Sequence, residues 1–215
     1  SDEDMVIGTP QTYQVEVQVT GTDADDVKGP VESASTLWAD RDKPASGAAG
    51  LIAKARSDYR RLLATLYTQG RYGGTISITI DGREAADIPP DATLAEPANV
   101  VVSVSPGPLF HFRNATILNR APLAEHRRDM VAAPESEGFA SGDVARSGAI
   151  LRAEALAVEA WKQQGYAKAE IAQRTVVAAH DADVVDAQIE VQPGRKAYYG
   201  PVTVEGENDI DQEWL

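Results

Sequence analysis

The chain has 215 residues, of which 43% are hydrophobic and 25% are charged, a composition typical of a globular protein. Its 33 acidic and 20 basic residues give a formal net charge of −13, and an acidic surface repels phosphate groups. We therefore expect neither nucleic acid nor an anionic lipid surface as a partner. The chain has no cysteine, which excludes disulfides, thiol catalysis and thiolate metal sites.

The two ends of the sequence suggest a piece of a longer protein. Residues 1–4 are acidic and lack the basic and apolar segments of a signal peptide. Residues 213–215 look like the first turn of a helix whose apolar side chains would need cover. No stretch reaches the roughly 18 consecutive apolar residues that a membrane-spanning helix needs. We expect the signal peptide and the later segments of an exported parent to be missing here.

The first half of the chain predicts a strand, two helices and two more strands. The predicted elements are a strand at 13–19, a short helix capped by Asp25 or Asp26, a long helix from Ser46 to Gly70, and strands at 75–80 and 100–104. Gly70 is expected to end the long helix because glycine adopts a left-handed conformation without a steric clash. The last strand is apolar on both faces, which indicates a central position in the sheet.

The second half predicts the same order of elements. These are a strand at 112–118, a short helix at 122–131, a long helix at 143–164 that ends at Gly165, and strands at 169–177 and 184–191. A third strand-and-turn pattern then begins at 199–204.

Four landmarks show that one design is encoded twice. Each long helix ends in Gln-Gly, at 69–70 and 164–165, with a tyrosine close behind. Two strand-like runs then follow each helix, and a Pro-Gly turn comes after them, at 106–107 and 193–194. The helix-ending glycines lie 95 residues apart and the turn glycines 87 apart. Because the landmarks recur in the same order, they indicate an internal repeat rather than chance similarity.

We therefore predict a tandem α+β protein with three parts. The first unit spans 11–109, the second unit spans 110–197, and a third unit begins at 198–215. Each complete unit is expected to be a β-α-α-β-β domain, with a three-stranded sheet and two helices packed on one face.

Several motifs together resemble POTRA domains, the polypeptide-transport-associated repeats of outer-membrane-protein insertases. They are the β-α-α-β-β order, the helix that ends in Gln-Gly-Tyr, and the aromatic residues after each Pro-Gly turn, Phe110 and Phe112 in one unit and Tyr198 and Tyr199 in the next. The sequence Val-Glu-Gly-Glu-Asn at 204–208 adds to them. The resemblance extends over nearly the whole chain, and the order of the motifs carries it.

Within that family the resemblance is greatest to the outer-membrane subunits of translocation and assembly modules. BamA-type insertases and two-partner-secretion transporters share the repeat. The resemblance implies a periplasmic, non-catalytic scaffold without a cofactor. Its partners would be unfolded outer-membrane or autotransporter polypeptides and a TamB-like inner-membrane protein, and the parent would continue into an outer-membrane β-barrel.

The resemblance also implies that the strand after each long helix lies at a sheet edge. An open edge offers unpaired backbone groups to an extended polypeptide, which can add as a further strand. The candidate binding residues are Thr75, Ile76, Ser77, Ile78, Thr79 and Ile80 in the first unit, and Ala169, Glu170, Ile171, Ala172, Gln173, Arg174, Thr175 and Val176 in the second. We expect the second edge to be less shielded, because Arg83, Glu84 and the loop 81–99 could cover the first.

Other kinds of site fit the sequence less well. His111, His126 and His180 do not have metal-ligand spacing, and the acidic run at 23–26 lacks the glycine and glutamate of a calcium loop. No Gly-x-Ser-x-Gly sequence marks a nucleophile elbow. The alternatives to a binding scaffold are a purely structural spacer and a small hydrolase.

Overall fold

The computed structural model describes residues 9–198, so the predicted third unit lies, except for Tyr198, outside the described residues. The strands are β1 Tyr13–Val19, β2 Thr75–Ile80, β3 Arg83–Glu84, β4 Ala98–Ser105, β5 His111–Leu118, β6 Glu170–Ala179 and β7 Val184–Gln192. The α-helices are α1 Ala24–Ala34, α2 Thr36–Ala39, α3 Gly47–Thr68 and α4 Ser147–Lys162. Within these residues no helix is long and apolar enough to cross a bilayer.

The strands form two separate sheets. Their orders are β1-β4-β2-β3 and β5-β7-β6. In each sheet the first strand pairs in parallel with the last long strand, which also pairs antiparallel with the strand that follows the long helix. The α+β class is confirmed, and so is the central position of the last long strand.

Apolar burial joins each helical layer to its sheet. Leu51, Leu62 and Leu66 lie on one side of α3 and are fully buried, as are Ile78 and Val102 in the first sheet. A fully buried leucine or isoleucine stabilises a fold by about 2 kcal/mol. Because α3 carries this stripe at helical spacing, the helix packs its apolar side against the sheet that contains β2.

A second core lies between the second sheet and α4. Phe112 and Phe139 meet edge to face with their ring centroids 5.2 Å apart, and Val185 and Ile189 of β7 are fully buried beside them. Among residues 9–198 the two cores have no buried residue in common.

The long helices differ slightly from their predicted bounds. Gly70 follows α3 with a φ of +83° and Gly165 follows α4 with a φ of +93°, so both glycine stops are confirmed. Ser46 precedes α3 as predicted, but its side chain makes no capping hydrogen bond. In the second unit the long helix begins at Ser147 rather than at residue 143.

The predicted short helix at 122–131 is wrong. That segment is irregular, with a 3₁₀ turn at Arg127–Asp129, and a second 3₁₀ turn follows it at Pro134–Glu137. Leu123 is 92% exposed and Met130 is 61% exposed, so the apolar stripe that would have held a helix has no surface to cover it. A short helix without a buried face does not offset the cost of its nucleation.

The first unit keeps its short helices because a buried carboxylate holds their junction. The Asp58 side chain on α3 is fully buried and accepts hydrogen bonds from Ser35 Oγ at 2.7 Å and from the Thr36 and Leu37 amides at 3.0 Å each. These amides belong to the first turn of α2, whose backbone donors have no partner within the helix.

Replacing Asp58 with alanine should destabilise the fold. The change leaves buried donors unpaired, and we expect the free energy of unfolding to fall by about 3 kcal/mol. Chemical denaturation measures this loss. Asp42→Ala, at an exposed position nearby, is the matched control and should change stability by less than about 0.5 kcal/mol. Equal effects of the two substitutions would contradict the capping role of Asp58.

Candidate functional site

The predicted edge of the first sheet is not its outermost strand. The chain turns back after β2 and adds the short strand β3, which pairs Glu84 with Thr79 and Arg83 with Ile80. The prediction that Thr75–Ile80 forms an open edge is therefore wrong for the C-terminal part of β2. The expectation that Arg83 and Glu84 shield this edge is confirmed.

The Glu84 side chain extends this cover beyond the two paired residues. Its carboxylate accepts hydrogen bonds from the Ile78 amide at 3.1 Å and from Ser77 Oγ at 2.7 Å, and it contacts the Tyr59 hydroxyl of α3. The Tyr59 hydroxyl also lies 3.1 Å from the Ile78 carbonyl oxygen. Side chains of the same chain therefore occupy the backbone groups of Ile78 that an added strand would need.

The contacts of Glu84 also perturb its acidity. Burial acts to raise the pKa of this carboxyl, but the hydrogen bonds from Tyr59, Ser77 and the Ile78 amide outweigh it and lower the pKa below its usual 4.5. Burial, with the adjoining Glu84 charge, raises the pKa of Tyr59 to about 12. The carboxylate is therefore the stable form of Glu84 in this position.

The β6 edge of the second sheet is open. Strand β6 pairs on one side with β7, from Glu170 opposite Gln192 to Ala179 opposite Val184. Within residues 9–198 no strand pairs with its other side. Alternate residues of an antiparallel edge strand direct their N–H and C=O groups outward, so β6 presents a row of unpaired donors and acceptors.

The C-terminal half of β6 lacks the usual protection of an exposed edge. Natural edge strands commonly carry lysine, proline or inward-pointing charges that prevent pairing with other chains. Residues 175–179 read Thr-Val-Val-Ala-Ala, without a charge or a proline. Val176 is 38% exposed and Val177 is 56% exposed. This part of β6 is therefore both accessible and suited to pairing with another strand.

Apolar side chains flank the open edge on the side of the helix. Val176 pairs with the buried Ala187, so it faces α4. On α4, Glu154 binds Arg174 of β6 through two hydrogen bonds, which places this side of the helix next to the edge strand. Leu151 precedes Glu154 by three residues, lies on the same side of α4 and is 54% exposed. On the opposite face of the sheet, Val177 supplies the exposed apolar surface.

The structure limits the N-terminal end of the predicted site. Ala169 precedes β6 and is 5% exposed, so it is not part of the open edge. The register shifts between Ile171 and Gln173, a bulge that interrupts regular pairing there. The regular edge therefore begins at Gln173.

The open edge also extends further than predicted. It runs through Val177, Ala178 and Ala179, beyond the predicted end of the site at Val176. Sequence reasoning also missed the exposed Leu151, because the position of α4 beside β6 appears only in the folded structure. The run Val-Val-Ala-Ala was a usable signal for the longer strand.

Metal-binding geometry is absent from the part of the chain that the structure describes. Within residues 9–198 no group of three or more His, Asp or Glu side chains is placed to hold an ion. His180 packs instead against Phe110, with ring centroids 5.3 Å apart.

The chain matches no family model and no curated protein sequence. Among solved structures it is similar to POTRA3–5 of BamA from Haemophilus influenzae, with 14% identity and a TM-score of 0.47 over 87% of this chain and 68% of that one. It is also similar to POTRA1–2 of the periplasmic domain of Omp85 from Anabaena, with 14% identity and a TM-score of 0.45 over 87% of this chain and 98% of that one. The N-terminal domain of Omp85 from Thermosynechococcus elongatus matches with 14% identity and a TM-score of 0.45, over 86% of this chain and 64% of that one. At these identities and scores the likeness carries no functional information.

Acid should open the guarded edge of the first sheet before it unfolds the protein. Because the folded-state pKa of Glu84 is lowered, its contacts are complete above the usual 4.5 and are lost as the pH falls through the folded-state pKa. We expect the hydrogen-exchange protection of the Ile78 amide, corrected for intrinsic rates, to fall over that range.

The matched control is Glu84→Gln, which does not titrate and should show Ile78 protection independent of pH. The Val102 amide of the central strand reports global unfolding. Loss of Val102 protection at the same pH as Ile78 would show that the whole sheet opens, against a local role for Glu84.

Proposed function

We propose that this chain is a periplasmic POTRA-type scaffold of an outer-membrane assembly factor, and that it binds extended, unfolded outer-membrane polypeptides along β6. The observation that carries the proposal is the unguarded edge at 175–179, in a protein that covers the C-terminal part of the equivalent edge of its first sheet. The resemblance of the sequence to POTRA repeats supports the assignment to the periplasm.

The geometry suits a ligand that adds as a strand. Backbone hydrogen bonds between β6 and the incoming chain require no particular sequence, whereas alternate side chains of the ligand meet different surfaces. On the helix side they meet Leu151 and Val176, and on the other side they meet Val177. A segment with apolar side chains at alternate positions directs them all to one face, where they can cover either surface, and strands of outer-membrane proteins have this pattern.

We further propose the translocation and assembly module as the system to which the parent belongs, with TamA as the type of subunit and a TamB-like inner-membrane protein as a partner. The order of the sequence motifs supports this choice. A BamA-type insertase or a two-partner-secretion transporter is the alternative. On each alternative the chain is a non-catalytic binding scaffold, and autotransporter polypeptides are among the proposed ligands.

A purely structural spacer is the second candidate function, and the joint between the units favours it. The Phe110 amide donates to the Gly70 carbonyl oxygen at 2.8 Å, and the Tyr72 hydroxyl donates to the Ala145 carbonyl oxygen at 2.6 Å. Hydrogen bonds of this kind between the units favour a fixed angle. A spacer needs this fixed angle but does not need an open edge, so the two functions are separated by mutating β6 alone.

Proline substitutions on β6 test the binding function. Neighbouring residues direct their N–H groups to opposite sides of an edge strand. One of the two substitutions Val176→Pro and Val177→Pro therefore removes an N–H group that points outward, and the other removes an N–H group that bonds to β7. We expect the outward variant to stay folded and to bind a ten-residue peptide from an outer-membrane barrel strand at least about tenfold more weakly. Fluorescence anisotropy measures the binding, and circular dichroism measures the fold.

A gain-of-function variant provides the matched test on the other sheet. Glu84→Ala removes the side chain that occupies the Ile78 amide, and we expect it to add a second, weaker binding site at β2. Unchanged peptide affinity in the folded proline variant, together with no added site in Glu84→Ala, would exclude binding by strand addition and leave the spacer function.

A further inference from the structure

The two long helices reach the edge strands of their sheets from the same position. Aligning the two helix-ending glycines pairs Tyr59 of α3 with Glu154 of α4, because both pairs of residues are 95 positions apart. The Tyr59 hydroxyl lies 3.1 Å from the Ile78 carbonyl oxygen of β2. Glu154 instead accepts hydrogen bonds from the side chain of Arg174 in β6. The first unit thus uses this helix position to occupy a backbone group of its edge strand, whereas the second unit uses it to hold a side chain.

The Arg174 guanidinium group is held in place by a buried carboxylate. Its Nε and Nη2 atoms donate hydrogen bonds to different oxygens of Glu154, and Glu154 is buried. Such a two-point contact fixes the plane of the guanidinium group. A long side chain usually loses conformational freedom when it binds a ligand. Arg174 is ordered beforehand and therefore loses little of that freedom.

Arg174 keeps hydrogen-bonding capacity on its solvent side. An arginine side chain has five N–H groups, and Glu154 accepts two of those on Arg174. Within the described residues 9–198 the other three have no partner. The Arg174 side chain is 47% exposed, whereas that of Glu154 is mostly buried, so the pair presents its positive member to solvent.

Arg174 lies on the helix side of the open edge. It pairs with the buried Ile189 of β7, so its side chain faces α4. Val176, two residues later on β6, faces the same side because successive residues of a strand alternate. On α4, the exposed Leu151 lies about one turn before Glu154. A strand that adds to β6 therefore meets a positive group and an apolar surface on this side.

From this arrangement we propose that β6 selects extended polypeptides that carry an acidic side chain two residues from an apolar one on the same face. The acidic side chain accepts hydrogen bonds from the free N–H groups of Arg174, and the apolar one covers Val176 and Leu151. This inference rests on the proposed binding function of β6 and specifies the ligand of that site.

The charge of the rest of the chain makes the position of this contact specific. A chain with a net charge of −13 repels acidic ligands in general. Arg174 is the place along the regular edge where an acidic side chain is attracted instead, since residues 175–179 carry no charge. The contact therefore also sets the register in which a ligand strand pairs with β6.

Three peptides measure the selection. They are versions of the ten-residue barrel-strand peptide whose apolar face is interrupted at one central position by Glu, Gln or Lys. We expect the Glu peptide to bind roughly three- to tenfold more tightly than the Gln peptide, which has nearly the same shape. The Lys peptide should bind more weakly than both. Fluorescence anisotropy measures the affinities, and the preference for Glu over Gln should shrink as salt is added.

A charge swap separates recognition from structural support. In the double variant Glu154→Arg with Arg174→Glu, the ion pair remains but its exposed member is negative, so the preference should reverse to the Lys peptide. A pair that only supports the strand would leave the preference unchanged. Because a swapped buried pair can fail to fold, a second double variant, Glu154→Leu with Arg174→Leu, leaves no buried charge and should bind the Glu and Gln peptides equally. Circular dichroism checks the fold of both.

The chain offers a matched control for these variants. Arg120 also makes a two-point contact with a carboxylate, that of Glu135, but neither residue belongs to β6 or α4. Swapping the charges of this pair, in Arg120→Glu with Glu135→Arg, should leave the preference for the Glu peptide unchanged.

The possible outcomes distinguish this inference from the function on which it rests. If none of the three peptides binds, strand addition at β6 is wrong and the inference fails with it. If all three bind with equal affinity, β6 binds strands without selecting an acidic residue, and only the inference is overturned. A preference for Glu that persists in the folded leucine variant would originate elsewhere on the protein and would likewise overturn it.

Discussion

Every backbone amide and carbonyl of a strand needs a hydrogen-bond partner, and the outermost strand of a sheet cannot find all of its partners within that sheet. The two sheets of this protein meet this constraint differently. In the first, Glu84 and a two-residue strand occupy the outer groups in the C-terminal part of β2. In the second, β6 leaves its outer groups without a partner among residues 9–198. The proposal that β6 rather than β2 binds a ligand follows from this difference, since part of β2 is covered and β6 is available.

The same backbone groups explain how the units are joined. The joint uses the carbonyl oxygens of Gly70 and Ala145 as acceptors, both of which lie at helix ends where the helix itself offers no partner. A donor from the neighbouring unit satisfies each of them. The covered part of β2, the open edge of β6 and the joint thus follow from the same need for hydrogen-bond partners. Each depends on which backbone groups remain unpaired after the local helices and strands have formed.

The elements with a clear period could be predicted from the sequence, and those without one could not. The alternation in β1 and β2 gave their bounds to the residue, and the positive φ of Gly70 and Gly165 followed from their position after a helical stripe. Strand β3 is too short to have a period. The helix expected at 122–131 failed because its stripe found no surface, which depends on tertiary packing. Leu151 gains its place beside β6 only from the three-dimensional arrangement.

The bulge near the start of β6 limits how firmly a visiting chain can be held. Regular pairing is available from Gln173 to Ala179, a length of roughly 23 Å at about 3.3 Å per residue. A membrane-spanning β-strand has about 9–11 residues, so this edge grips less than one such strand. In the proposed function the edge therefore pairs with only part of one barrel strand at a time, and the remaining residues of that strand lie outside the pairing.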